Sequence, residues 1–268
     1  MDERPIGVFD SGVGGLTVVR SLIDLLPREN LIYFGDTGRG PYGGRSLEEV
    51  RCFSIQIVQW LVDQGVKLVV IACNTASAAA LQEARARFRV PIIGVVEPGV
   101  RAALKTSRQG RVGMIGTAGT VASGAYEDAM RAMRGREGKG DLISVACPRF
   151  VEFVEKGEVW GAEISRLASM YLMPLREACV DTLILGCTHY PLLARVISDA
   201  VGRHVTLLSS ADETAFEVTD ILVRTGKDRR GLGLGWHRFV CTSDTEHFRL
   251  LGVQFLGPEV REVAFVGF

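Results

Sequence analysis

No sign of charge prevails in this sequence: Lys and Arg number 31, and so do Asp and Glu, for a formal net charge of zero at pH 7. The basic surplus of a nucleic-acid binder is missing, so no nucleic acid is expected as a partner. The one basic cluster, Lys227-Asp228-Arg229-Arg230, reads as a solvated turn. No apolar run reaches the ~18 residues of a membrane span, and no membrane association is expected. Met1-Asp2-Glu3-Arg4-Pro5 carries no signal-peptide pattern, which makes a cytoplasmic location the expectation. No Cys-x-x-Cys pair occurs, and the single Cys–His pair at ligand spacing, Cys187 with His189, is too small alone for zinc. No metal is therefore expected, and the six cysteines (52, 73, 147, 179, 187 and 241) are expected as free thiols.

What is present is the material of a packed α/β protein. Hydrophobic residues make up 47% of the chain and charged ones 23%, which excludes disorder and disulfide-dense miniature folds. Short apolar runs at Ile6–Phe9, Leu31–Phe34, Leu68–Ala72, Ile92–Val95, Val112–Ile115, Leu142–Ala146, Leu183–Gly186 and Val205–Leu208 read as strands. They lack polar alternation, as strands covered on both faces do. Helical patterns lie between them at Leu16–Leu26, Ser46–Gln64, Ala76–Phe88, Thr120–Met133, Trp160–Ala178 and Leu192–Val201. Strands and helices taking turns in this way form parallel βαβ units. After Gly226 come a glycine-rich connector, Gly231–Gly235, and two short terminal strands, His237–Thr242 and Glu262–Val266. Gly135–Gly140 reads as an exposed polar loop.

One internal echo stands out. Val66 through Thr75 overlays Val180 through His189 at a constant offset, each a strand ending in a small residue, then Cys, then a polar residue opening a helix. We read this as a duplicated α/β unit. In open α/β sheets ligands bind beyond the carboxyl ends of the strands, where Cys73 and Cys187 fall. The N–H groups and partial charge of a helix N-terminus favour an anionic sulfur there and can hold a small carboxylate, helped by Asn74, Thr75 and Thr188. A lone cysteine is ordinarily a core thiol; the repeated context argues for a site.

Other strand ends add polar groups: Asp10-Ser11 after the first, Asp36-Thr37 after the second, with Pro41-Tyr42-Gly43 in the succeeding loop. The loop Gly12-Val13-Gly14-Gly15 fails the dinucleotide pattern and lacks a following Gly-Lys-Ser/Thr, so it reads as a close approach of backbone to a small ligand. His189 and Asp10 could each take or supply a proton for the nearby thiol. Glu155 is either a site residue or a solvated helix-end charge. Cys52, Cys147, Cys179 and Cys241 read as structural thiols.

Together these motifs resemble those of the cofactor-independent aspartate/glutamate racemases. The segments that carry the resemblance are Phe9 through Thr17, Gly35-Asp36-Thr37 with Pro41-Tyr42-Gly43, Ala72 through Ala78, and Gly186 through Leu193, with weaker matches at Ile115-Gly116-Thr117 and Pro148 through Gly157. The resemblance implies two similar parallel-sheet α/β lobes related by pseudo-symmetry, with the active site in the cleft between them. The first lobe would comprise 1–96 with 208–268, and the second 97–207. Cys73 and Cys187 would be the acid/base thiols, assisted by Asp10 and His189, with Glu155 at a supporting position. Asp10, Ser11, Asp36, Tyr42, Gly43, Asn74, Thr75, Thr188 and His189 would contact the substrate. Gly38 and Gly40 stand where family members more often carry alanine-like residues, which is expected to loosen that loop.

The implied activity is interconversion of L- and D-glutamate without a cofactor, supplying D-glutamate for bacterial peptidoglycan, by a homodimer. One thiolate would remove the Cα proton and one thiol would deliver another to the opposite face. No pyridoxal-lysine motif offers an electron sink, so preorganised donors at the substrate carboxylate must carry the stabilisation. Three other readings stay open: a racemase of aspartate or a related amino acid, a hydrolase or amidotransferase with one nucleophilic Cys, and a non-catalytic amino-acid-binding protein.

Overall fold

The computed structural model describes residues 2–134, 142–231 and 233–268. The segment Gly135–Gly140, expected as a polar loop, lies outside them, as does position 232 of the glycine-rich connector. The chain divides into two compact units, Met1–Val95 with Ala211–Phe268, and Val96–Ser210. Among the described residues no helix is long and apolar enough to cross a membrane.

The first unit opens with β1 (Ile6–Asp10), α1 (Leu16–Leu25), β2 (Leu31–Gly35), α2 (Leu47–Asp63), β3 (Leu68–Ile71), α3 (Asn74–Arg87) and β4 (Ile92–Gly94). The second holds α4 (Val96–Thr106), β5 (Val112–Gly116), α5 (Ala118–Ala122), α6 (Ala125–Arg134), β6 (Ile143–Ala146), α7 (Phe150–Glu155), α8 (Ala162–Glu177), β7 (Thr182–Gly186), α9 (Ala194–Val201) and β8 (Thr206–Ser209). The chain returns to the first unit through α10 (Ser210–Arg224), β9 (His237–Cys241), α11 (Thr245–Leu256) and β10 (Val263–Phe265).

Both sheets are parallel. The first runs β10-β9-β2-β1-β3-β4 and the second β6-β5-β7-β8. Successive side chains serve opposite faces: Ile6, Val8, Leu68 and Val70 pack with α1, α10 and α11, while Phe9, Val69 and Ile71 pack with α2 and α3. In the second unit Val112, Met114 and Ile184 pack with α4 and α6. Burial on both faces is why the strands read as unbroken apolar runs.

The order β2-β1-β3-β4 recurs as β6-β5-β7-β8, and the register recurs with it: Phe9 pairs with Ile71 as Ile115 pairs with Leu185. The sequence echo is thus a repeated strand frame. Before each repeated strand sits a polar residue, Lys67 in one unit and Asp181 in the other. The wholly buried Lys67 ammonium lies 2.5 Å from the Glu29 carboxylate and donates to the carbonyls of Asp2 and Lys227 at 2.9 and 2.8 Å. Asp181 accepts from Ser107 Oγ and Gln109 N at 2.7 Å and from Arg108 N at 3.0 Å.

Several boundaries differ from expectation. The predicted helix Thr120–Met133 is two helices, because Gly124 takes φ +67° and Ser123 Oγ accepts the N–H of Ala125. The sequence reading had no α4, whose first turn contains Pro98 and Gly99; proline is tolerated there because those N–H groups have no helical partner. It also lacked α7, α10 and α11. Cys52 and Cys179, expected as structural core thiols, are exposed: Cys52 lies on the outer side of α2 and Cys179 follows the end of α8 at φ +53°. The basic cluster is not wholly a solvated turn, since Arg229 N donates to Glu29 and its guanidinium to Glu3 and the carbonyls of Arg28 and Gly233.

Lys67→Met leaves the buried Glu29 carboxylate without its cation and should cost about 3–5 kcal/mol in urea unfolding. An unchanged urea midpoint would show that the pair carries no stability. For Asp181 burial pushes the carboxyl up, but hydrogen bonds from Ser107, Gln109 and neighbouring groups outweigh it and hold it below its ordinary 3.8. A depressed folded value means that its contribution is complete above pH 3.8 and disappears as the pH falls through the folded value. Thermal midpoints of Asp181→Asn and the parent should differ at neutral pH and converge in acid; a constant gap would refute the linkage.

Candidate active site

In the first unit the polar groups gather at the carboxyl ends of β1, β2 and β3. Cys73 follows β3 and caps α3 from an extended conformation, its Sγ accepting the Ala76 N–H at 3.4 Å. Its thiol donates toward Ser11 Oγ, 3.9 Å away. Asn74 and Thr75 form the first turn of α3 and are buried. Asp10, wholly buried at the end of β1, accepts the Gly12 N–H at 2.9 Å, and the Tyr33 hydroxyl donates to the Gly12 carbonyl at 2.8 Å. A Cβ at Gly15 would stand 2.5 Å from Asp10 Cβ, so glycine is required for this loop to close over the carboxylate. Burial, then the charges of Asp10 and Cys73, push the Tyr33 phenol far up, and it remains a neutral donor.

Asp36, also wholly buried, accepts from Arg39 Nε at 2.8 Å, from the Tyr42 hydroxyl, and from Thr242 Oγ1 at 2.8 Å. Tyr42 opens a 3₁₀ turn, Tyr42–Gly44, that also contains Gly43. Its phenol is pushed far up by burial and by the Asp36 carboxylate, and so donates at every accessible pH. Gly38 and Gly40 do not loosen this loop. A Cβ at Gly40 would stand 2.2 Å from the Ser11 carbonyl and one at Gly38 2.6 Å from the Thr242 carbonyl, so the glycines permit close packing.

In the second unit Cys187 follows β7 and is buried. The expected helix does not open there. Cys187, Thr188 and His189 form a turn, a 3₁₀ segment covers Tyr190–Leu193, and α9 begins at Ala194. Pro191 supplies no N–H and restricts Tyr190, which delays the α-helix. His189 Nδ1 lies 3.9 Å from Cys187 Sγ, and its Nε2 lies 3.3 Å from Glu155 Oε1 at the end of α7. The structure therefore places the imidazole against a thiol on one side and a carboxylate on the other. His189 is buried, whereas the Glu155 side chain is 38% exposed.

Three residues absent from the sequence-derived site belong to its surroundings. Tyr190 donates to the Cys147 carbonyl at 2.8 Å and packs edge-on against Phe150, with ring centroids 5.3 Å apart. Burial and then a charge on Cys187 raise the Cys147 thiol, keeping it neutral. Thr117, in register the counterpart of Ser11, caps α5 and hydrogen-bonds Thr120 Oγ1 at 3.0 Å. The segment Ile115-Gly116-Thr117 was its only signal in the sequence.

Among the described residues no group of three or more His, Cys, Asp and Glu side chains is placed to hold a metal ion. A cavity of about 600 Å³ along α2 and α3, lined by Arg51, Trp60, Glu83 and Phe268 among others, contains none of the predicted site residues.

The chain resembles known proteins over nearly its whole length. A glutamate racemase of Parafrankia sp. (strain EAN1pec) is 52% identical over 265 residues, covering 98% of this chain and 95% of that protein. The fold matches that of a glutamate racemase isoform from Bacillus anthracis with a TM-score of 0.92 and 40% identity, covering 100% of this chain and 98% of the other. A Francisella tularensis glutamate racemase solved with D-glutamate matches at 0.92 and 34% identity, with coverage of 100% and 98%. The model of the Asp/Glu/Hydantoin racemase family spans residues 6–218, which include both repeated strands with Cys73 and Cys187, and the chain belongs to that family.

Proposed function

We propose that this chain is a cofactor-independent glutamate racemase that moves a proton on and off Cα with Cys73 and Cys187. The observation that carries the reading is the repeated strand frame ending in a buried cysteine, each with its own polar neighbours: Ser11 for Cys73, and His189 backed by Glu155 for Cys187. Likeness to glutamate racemases over nearly the whole chain supports glutamate as the substrate.

In this mechanism one sulfur begins as thiolate and takes the Cα proton from one face. The other begins as thiol and donates to the opposite face. The reverse reaction exchanges their roles, which is why two thiols serve where a single base would return the original enantiomer. The carbanion places charge on the α-carboxylate, and fixed donors stabilise it most in a dry site. Ser11, Asn74, Thr75 and Thr188, with the backbone of Tyr42 and Gly43, are the proposed donors. Asp10 is buried at the end of β1, one residue before Ser11, and is proposed to orient the substrate ammonium. Asp36 serves the substrate by holding Tyr42. His189, backed by Glu155, carries protons to and from Cys187. We further propose a cytoplasmic homodimer that supplies D-glutamate for peptidoglycan.

The test is racemisation of L-glutamate by purified protein in deuterated water with no added cofactor, followed by circular dichroism and mass spectrometry. The product should carry one deuterium at Cα. Cys73→Ser and Cys187→Ser should each lower kcat by at least ~10²-fold, the size of a positioned acid or base. One silent serine variant would favour a single-nucleophile enzyme, and turnover of aspartate in place of glutamate would change the substrate.

A second prediction concerns the imidazole. Because Glu155 is partly exposed, Glu155→Gln should lower kcat less than His189→Asn does. The opposite ranking would take the proton-carrying role from His189.

A further inference from the structure

The proposed substrate contacts leave the cation on Asp36, Arg39, and the rings around it without a role. Asp36 is a wholly buried carboxylate, and of the three donors on it only Arg39 is charged. A desolvated anion of this kind is costly unless its counter-charge is held in place. Arg39 is held closely. Its guanidinium carbon stands 4.4 Å from the ring centroid of Phe53 and 4.7 Å from that of Phe268, and Nη1 donates to Gln56 Oε1 at 2.6 Å. Its own carbonyl accepts from Arg45 Nε at 2.6 Å, at the far end of the same loop.

The contacts form a chain from the surface inward. Phe268 is 60% exposed and rests on Phe34, with ring centroids 5.6 Å apart, and on Arg39. Arg39 grips Asp36, and Asp36 accepts the Tyr42 hydroxyl. Phe53 closes the circuit by packing on both Arg39 and Tyr42, the latter at 5.9 Å between centroids. A planar guanidinium can stack on two rings while its edge donates to a carboxylate; an ammonium cannot do both. None of Arg39, Phe53 and Phe268 was singled out by the sequence, where they look like a loop cation and two ordinary apolar residues.

We infer that Arg39, clamped between Phe53 and Phe268, is a positioning residue that sets affinity for the amino-acid substrate by fixing Asp36 and, through it, the Tyr42–Gly43 turn. The inference rests on the racemase reading above and adds a specific division of labour. The clamp acts on substrate binding, and proton transfer is left to the thiols.

The experiment is steady-state kinetics of the full-length chain in both directions, with calorimetric glutamate binding beside it, for the parent, Phe268→Leu, Phe268→Tyr, Arg39→Lys and Phe268→Leu/Arg39→Lys. Phe268→Leu should raise KM by about 3- to 10-fold, the size of one cation–π contact, with kcat within about twofold of the parent. Phe268→Tyr restores a ring face and should keep the parent KM. In the Arg39→Lys background Phe268→Leu should add nothing, because the stacked partner is already gone. A merely structural role for Phe268 would lower kcat through loss of active protein and leave KM unchanged. An unchanged KM in Phe268→Leu, equal KM values for Phe268→Leu and Phe268→Tyr, or additive effects in the double variant would each overturn the inference. A parent that does not racemise glutamate would overturn the underlying reading instead, so the two failures are distinguishable. Should Arg39→Lys not fold, the two Phe268 variants decide the matter alone.

Discussion

Parallel pairing is the constraint from which the rest follows. Strands that all run the same way bring their carboxyl ends to one edge of the sheet, and the backbone ladder continues one residue past each strand. The Asp36 N–H bonds the Asp10 carbonyl at 3.0 Å, the Ala72 N–H bonds the Phe9 carbonyl at 2.9 Å, and the Cys147 N–H bonds the Gly116 carbonyl at 2.8 Å. The side chains at these points are therefore fixed in position before any of them makes a contact of its own. They are also buried, and a buried polar group must find partners. Asp10 finds the Gly12 N–H, Asp36 finds three donors, and Cys73 finds the first turn of α3. Close backbone approach at Gly15 and Gly40 is what allows loops to reach these groups.

Much of this was legible in the sequence because it depends on local pattern. The strands buried on both faces read as apolar runs, the helical pattern from Ser46 to Gln64 contains α2, and Cys73 stands at the entrance to α3 as the sequence echo implies. What was not legible depends on partners distant in sequence. Thr242 reaches Asp36, and Phe268 reaches Arg39, from the returning segment of the chain, and no local spacing announces either. The helix expected to open after Cys187 is delayed for a local reason: Pro191 has no N–H to give the Cys187 carbonyl, four residues back, its α-helical bond. Glu155 could not be placed from sequence because its relation to His189 depends on where the short α7 ends.

The duplicated frame also shows how little of the chemistry a fold dictates. Asp36 and Cys147 occupy the same rung of the two sheets, each one residue beyond a paired strand end. One is a carboxylate that keeps a cation and two hydroxyls around it; the other is a thiol that burial holds neutral. Lys67 and Asp181 repeat the lesson before the strands, where opposite charges are satisfied by entirely different neighbours.

The cysteines coincide in chemistry as well as position, as the hydroxyls of Ser11 and Thr117 do, yet the two sulfurs differ in their surroundings. Cys73 has a helix cap and a hydroxyl; Cys187 has an imidazole joined to a carboxylate. The racemase reading proposed above gives both sulfurs one task, although the Asp36/Cys147 and Lys67/Asp181 positions of the frame differ in chemistry. A reaction that needs a proton acceptor and a proton donor, and must run in both directions, requires two groups of matched acidity. On the reading proposed above, their different neighbours would be the means by which each sulfur is supplied with, or relieved of, its proton.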